Sequence, residues 1–173
     1  MVRCFLAIFP IKEEILEKIE TLKREINKFF IGKAVERENT HITISFLGEI
    51  DEKDVEKIII KIQNVVSELK STTAFLNGIK LIPSDYYIRV IALEVLGLEE
   101  ISKKIEKYVG GDVKPPHLTL FRVKKIIDKK GLVDFCKKNS FLESFEVRDI
   151  KLMKSTLTKE GPIYEVIRSF QLI

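Results

Sequence analysis

The chain has 173 residues, 45% of them apolar and 32% charged, with a formal net charge of +4, eight glycines and five prolines. This is enough for one good-sized core. It excludes collagen-like and low-complexity chains, and no apolar run approaches the ~20 residues that a membrane span needs. Two cysteines, Cys4 and Cys136, make no disulfide framework, so a reducing, cytoplasmic setting is expected.

Cys4 to Phe9 is apolar but stops at Pro10 and runs into Lys12, Glu13 and Glu14. It is too short and too soon charged for a signal peptide, and residues 3–8 read as a first strand. Ile15, Ile19, Leu22, Ile26 and Phe29 recur at four- and three-residue steps, which predicts a helix over 12–29. Ile42 to Leu47 is a short strand ended by Gly48. Asp51 can cap a helix with Val55, Ile58, Ile62 and Val65 on one face. Residues 73–82 and 86–95 form a hairpin around Pro83-Ser84-Asp85. Leu98, Ile101, Ile105 and Tyr108 mark a helix stopped at Gly110-Gly111. A strand over 118–123, a short helix with Leu132, Phe135 and Cys136, and strands near 144–153 and 162–172 close the chain.

Each half therefore runs strand, helix, His-bearing strand, helix, strand. We read the chain as one domain over 1–173 with approximate repeat units 1–85 and 86–173. The expected fold class is α+β, with two pseudo-symmetric lobes. The positive excess lies in the second half, around Lys114, Arg122, Lys124, Lys125, Lys129, Lys130, Lys137 and Lys138. Such a patch can hold an anionic backbone, although a solvated surface accounts for most individual lysines.

The informative constellation is His-x-Thr-x, present twice: His41-Ile42-Thr43-Ile44 and His117-Leu118-Thr119-Leu120. On a strand, residues i and i+2 share a face, so each motif sends His and Thr to one side and two aliphatics to the other. With eight threonines in the chain, the chance that both histidines carry Thr at i+2 is roughly 0.2% on composition. The chemistry suits a phosphodiester. Two imidazoles can serve as general acid and general base near neutral pH. Two hydroxyls can donate to the non-bridging phosphate oxygens that gather charge in the transition state. A Ser-His-Asp triad fits worse, because it uses one histidine and needs no twin. The two histidines are also the only ones, and nothing near them stands at metal-ligand spacing, so no metal and no cofactor is expected.

These motifs resemble the two-histidine phosphoesterase superfamily, and within it the RNA 2′,3′-cyclic phosphodiesterases, also called 2′-5′ RNA ligases. The matching stretches are Arg3–Ile8, Glu38–Ile50, Pro116–Val123 and Leu152–Val166, in the right order over nearly the whole chain. The resemblance implies antiparallel sheets lining a central cleft, with helices packed outside. It implies hydrolysis of a terminal 2′,3′-cyclic phosphate without metal, with His41 as proton donor, His117 as proton acceptor, and Thr43 and Thr119 holding the phosphate. The implied partners are RNA ends or tRNA-like fragments, met by a monomer away from membranes. The sequence departs from the family pattern at Arg37, Ser45, Phe121 and Thr156, none of them in the His-Thr couples.

Secondary candidates are Arg122, Arg3 and Ser155 for phosphate, and Tyr164 and Phe46 for base stacking. Strict alternation turns Arg122 away from the His-Thr face unless the strand bends, and gives Phe46 the parity of core-facing Ile42 and Ile44. Lys33 and Arg37 lie in a loop where RNA contact and plain solvation are both open. Competing functional readings are a different small cyclic phosphate, 2′-5′ RNA end joining by the reverse reaction, and a non-catalytic RNA-binding module.

Overall fold

The structure, a computed structural model, describes residues 1–10 and 12–173. Among the described residues there are nine strands and four helices. The strands are β1 (Val2–Ile8), β2 (Phe30–Ala34), β3 (Ile42–Ile50), β4 (Thr72–Pro83), β5 (Ile88–Leu96), β6 (His117–Ile126), β7 (Leu142–Val147), β8 (Asp149–Thr158) and β9 (Gly161–Gln171). The helices are α1 (Glu13–Ile26), α2 (Val55–Val66), α3 (Glu99–Tyr108) and α4 (Lys129–Lys138).

The α1 helix forms because Ile15, Ile19, Leu22 and Ile26 repeat at helical spacing and bury one stripe. Glu13 and Glu14 in its first turn and Lys23 and Arg24 in its last complement the helix dipole. It stops at Ile26. Residues 27–29 form a single 3₁₀ turn and Phe30 begins β2, so the helix is shorter than its apolar spacing predicts. Lys23 is buried, and its ammonium donates to Glu20 Oε2 at 2.5 Å and to the Val35 carbonyl at 2.6 Å. An ammonium removed from water needs such partners, and here they tie α1 to the segment that leads into β3.

All strands pair antiparallel, in the order β7-β4-β5-β6-β3-β1-β8-β9, with β2 beside β6. The centre of the sheet is a junction. There β3 and β6 pair at Ile42 with Leu118, and β2 then takes over that edge of β6 from Phe121 to Ile126. Read outward, each side of the junction is a four-stranded arm. The arms do not coincide with residues 1–85 and 86–173. The β4 strand lies beside β5, because a short turn makes them a hairpin, while β8 and β9 return to β1. The strand expected over 144–153 is two strands, β7 on one arm and β8 on the other, broken at Arg148.

One large core lies between the helices and the sheet, drawing Leu6, Ile8, Ile42, Ile44, Leu118 and Leu120 against Ile19, Ile62, Ile101, Ile105 and Leu132. Tyr108, read as part of the α3 stripe, is 55% exposed. The opposite face of the sheet carries a second, smaller cluster of Phe5, Ala7 and Met153, with Phe9, Phe46 and Tyr164 packed on it. That face is the floor of the site.

Candidate active site

The two His-x-Thr couples face one cleft of about 710 Å³ between the arms. In each motif the aliphatic neighbours, Ile42 and Ile44 or Leu118 and Leu120, are at most 1% exposed and anchor the strand in the helix-side core. His41, Thr43, His117 and Thr119 are half-buried on the other side. The same cleft is lined by Arg3, Phe46, Arg122, Ser155 and Tyr164, so the candidates for catalysis, phosphate and base stacking meet there.

Matching β-bulges bring two of them in. Along β3 and β1, Leu6 pairs with Ser45 and Ala7 with Thr43, which leaves Ile44 as an extra residue. Along β6 and β5, Ile91 pairs with Phe121 and Ala92 with Thr119, which leaves Leu120 extra. An extra residue flips the side-chain parity beyond it. Phe46 and Arg122, each three residues past its motif threonine, therefore turn into the cleft. This corrects the core orientation that alternation assigns to Phe46. The Phe46 ring packs with Phe5, Ala7 and Met153 and carries the Arg3 guanidinium 4.9 Å above its centroid. Among the described residues neither Arg3 nor Arg122 is ion-paired.

Both imidazoles are held in the same way. His41 Nδ1 lies 2.7 Å from the Asn39 carbonyl and His117 Nδ1 lies 3.1 Å from the Pro115 carbonyl, in each case two residues upstream. A carbonyl can only accept, so Nδ1 carries the proton and Nε2 is left for chemistry. His41 Nε2 is 3.0 Å from Thr43 Oγ1. The hydroxyl donates to neutral imidazole and accepts from imidazolium, so protonating His41 frees the Thr43 proton for another acceptor. Burial pushes the His41 pKa below its ordinary value. The Asn39 hydrogen bond opposes this, and the nearby His117 and Arg122 add to the depression. Phe5, Phe9 and Tyr164 supply the apolar enclosure, with ring centroids 5.3, 5.8 and 5.3 Å from that of His41. Burial raises the Tyr164 pKa, against the opposing charges of Arg122 and Arg3.

The sequence did not single out Asn39, Phe5 or Phe9. A carbonyl has no residue signature, and Phe5 and Phe9 read as ordinary strand apolars. Arg37 is no free cation. It pairs with Glu13 and Glu17 of α1 and so pins the 3₁₀ turn 37–39 that presents Asn39. Asn39 Nδ2 also donates to the Pro162 carbonyl at 3.2 Å, and Lys33 Nζ to the Glu160 carbonyl at 2.8 Å, fastening the β8–β9 turn beside the cleft. Ser45 is fully buried, and its hydroxyl donates to the Gly110 carbonyl at 2.7 Å. Gly111 allows that approach. Its φ is +89°, and a Cβ there would stand 2.3 Å from Ser45 Oγ. Both cysteines are free, and burial pushes the Cys136 thiol up to about 11, so it stays protonated at neutral pH. Among the described residues no three His, Cys, Asp or Glu side chains gather as a metal set, and no helix is long and apolar enough to cross a membrane.

A curled antiparallel sheet with one His-Thr couple at the start of each of its two central strands defines a phosphoesterase of the two-histidine class. The LigT-like phosphoesterase model matches residues 8–92. RNA 2′,3′-cyclic phosphodiesterase of Methanocaldococcus jannaschii is 41% identical, covering 97% of this chain and 99% of that one. The protein of the same description from Aquifex aeolicus is 30% identical over 99% and 98%. The crystal structure of TT0787 of Thermus thermophilus shares the fold, with a TM-score of 0.81 at 21% identity over 98% and 97% of the two chains. The chain belongs to the LigT-like phosphoesterase family, among the RNA 2′,3′-cyclic phosphodiesterases.

Proposed function

We propose that the cleft opens 2′,3′-cyclic phosphates at RNA ends to 2′-phosphomonoesters by proton transfer between two histidines, without a metal. Water attacks phosphorus and gives a proton to Nε2 of His117. The bond from phosphorus to the 3′ oxygen breaks, and that oxygen takes the proton from Nε2 of His41. The Thr43 and Thr119 hydroxyls donate to the non-bridging oxygens, where the pentacoordinate transition state gathers charge. Arg122 and Arg3 add positive charge, Ser155 a further donor, and Tyr164 and Phe46 apolar faces for the terminal base.

The carrying observation is the doubling. Two His-Thr couples sit on adjacent strands in one cleft, each imidazole fixed with its Nε2 free of the backbone. Burial disfavours the charged form of His41, and an anion in the cleft acts in the opposite sense. A bound phosphate favours imidazolium, and imidazolium in turn frees the Thr43 hydroxyl for that phosphate.

The experiment is product analysis on a cyclic-ended oligonucleotide after metal stripping and with EDTA present. We expect full turnover and a 2′-monophosphate, read by phosphorus NMR. Turnover lost in EDTA and restored by a divalent metal would refute the proton-transfer reading, and a 3′-monophosphate would refute the role of the 3′ oxygen as leaving group. Adding an RNA with a 5′-hydroxyl end to the same reaction asks whether that hydroxyl replaces water and yields a 2′-5′ bond.

A further inference from the structure

A second cavity, of about 760 Å³, lies at the end of β6 far from His117. Its walls include Tyr86, Tyr87, Arg89, Lys124, Lys125 and Lys129. Tyr86 is 90% exposed and Tyr87 58%, on a surface with no tryptophan. Each ring carries a cation: Lys129 Nζ stands 5.3 Å from the Tyr86 centroid, and the Arg89 guanidinium 5.6 Å from that of Tyr87. Arg89 Nη1 also donates to Tyr87 Oη at 2.7 Å, which fixes the ring. Among the described residues none of the four cations has a carboxylate at ion-pair distance. A groove of unneutralised cations and exposed rings is matched to a partner with repeated anions and flat faces.

Its place in the fold narrows that partner. The β6 strand carries His117, Thr119 and Arg122 in the cleft and then Lys124 and Lys125 in the groove. Lys124 lies five positions beyond Thr119, about 16 Å at the rise of a strand. A stacked nucleic-acid strand advances about 3.4 Å per nucleotide, so about five nucleotides cover that distance.

We propose that this groove binds single-stranded RNA on the 5′ side of the reacting end. Tyr86 and Tyr87 stack on bases, and Arg89, Lys124, Lys125 and Lys129 meet the backbone phosphates. The proposal rests on the reading of the cleft as a site for RNA ends. It adds that substrate length is sensed outside the cleft.

The test compares a 2′,3′-cyclic mononucleotide with cyclic-ended oligonucleotides of two to ten nucleotides, in the intact protein, in a Lys124→Ala/Lys125→Ala/Lys129→Ala variant and in Tyr86→Ala. The intact protein should lower its KM as length passes about five nucleotides. The triple variant should raise KM for the ten-nucleotide substrate roughly 10- to 100-fold at unchanged kcat. It should also reduce the slope of log KM against log salt by about 2, at about 0.7 for each phosphate no longer neutralised. Tyr86→Ala should raise KM about tenfold. Both variants should turn over the mononucleotide within twofold of the intact protein. An unchanged oligonucleotide KM, equal losses on both substrates, or no length preference in the intact protein would overturn the proposal. If the intact protein turns over neither substrate, the reading of the cleft fails instead. Fluorescence anisotropy with a labelled ten-nucleotide RNA ending in plain hydroxyls then tests the groove alone. Binding at least tenfold weaker in the triple variant sustains it, and equal binding overturns it.

Discussion

If His41 and His117 work on opposite sides of one phosphorus, removing them should have effects that depend on the leaving group. One acid or base group contributes ~10²–10⁴ in rate, about 2.7–5.5 kcal/mol at 1.36 per decade. The structure gives no reason for either to fall short. His41 is closed in by Phe5, Phe9 and Tyr164, so truncation leaves a hollow lined by aromatic rings and no imidazole to supply the proton. His117 is the one other imidazole in the chain. On a 2′,3′-cyclic mononucleotide, His41→Ala and His117→Ala should each lose ~10²–10⁴ in kcat/KM. A 3′-deoxynucleoside 2′-(p-nitrophenyl phosphate) gives the same class of product but expels a nitrophenolate that needs no proton. On it His117→Ala should keep its full loss, while His41→Ala should fall by no more than about tenfold. The double variant on the cyclic substrate should be close to the poorer single one, because groups that act as a unit are not additive. Nucleotide chromatography and nitrophenolate absorbance, both in metal-stripped buffer, read the two rates. The reverse pattern on the nitrophenyl ester would exchange the two roles. A variant within threefold of the intact protein on the cyclic substrate would remove that histidine from the reaction.

Two further outcomes follow from side chains around the motif. With two histidines in the chain, proton NMR resolves both imidazoles, and His41 should titrate below its ordinary value in the ligand-free protein and move up when inorganic phosphate is added. Its folded value lies below its unfolded one, so the unfolded chain binds more protons between the two. Stability should therefore fall as pH drops from about 6.5 through the folded value, and His41→Asn should remove that slope; a ligand-free titration at or above 6.5 would contradict the burial argument. Ser45→Ala removes the donor to the Gly110 carbonyl in a fully buried place. It should lower the unfolding free energy by about 1–3 kcal/mol, seen as a lower denaturant midpoint at unchanged m-value. A change under about 0.3 kcal/mol would mean that water or a shifted loop satisfies that carbonyl.

The strands that carry the chemistry were legible because their signal is local. His and Thr two apart, with aliphatics between, dictate which side of a strand each residue takes, and the cleft gathers them accordingly. What alternation cannot show is an extra residue. Phe46 and Arg122 change sides because Ile44 and Leu120 are unpaired, and that depends on the partner strands β1 and β5 rather than on the residues themselves. The β2 strand went unread for a related reason. Only Phe30 of its five residues is buried, and the strand exists because β6 offers an edge. The break at Arg148 did leave a trace, since buried positions shift from Phe145 and Val147 to Ile150 and Leu152 and so change parity. The held tautomers had none, because they rest on backbone oxygens.

The chain passes between the two arms four times, entering and leaving β2, running from β3 through α2 to β4, and stepping from β7 to β8 through Arg148 alone. An arm that moved away would strain these connections as well as the Ile42–Leu118 pairing at the junction. The covalent chain itself thus helps to set how far apart the two imidazoles stand across the cleft.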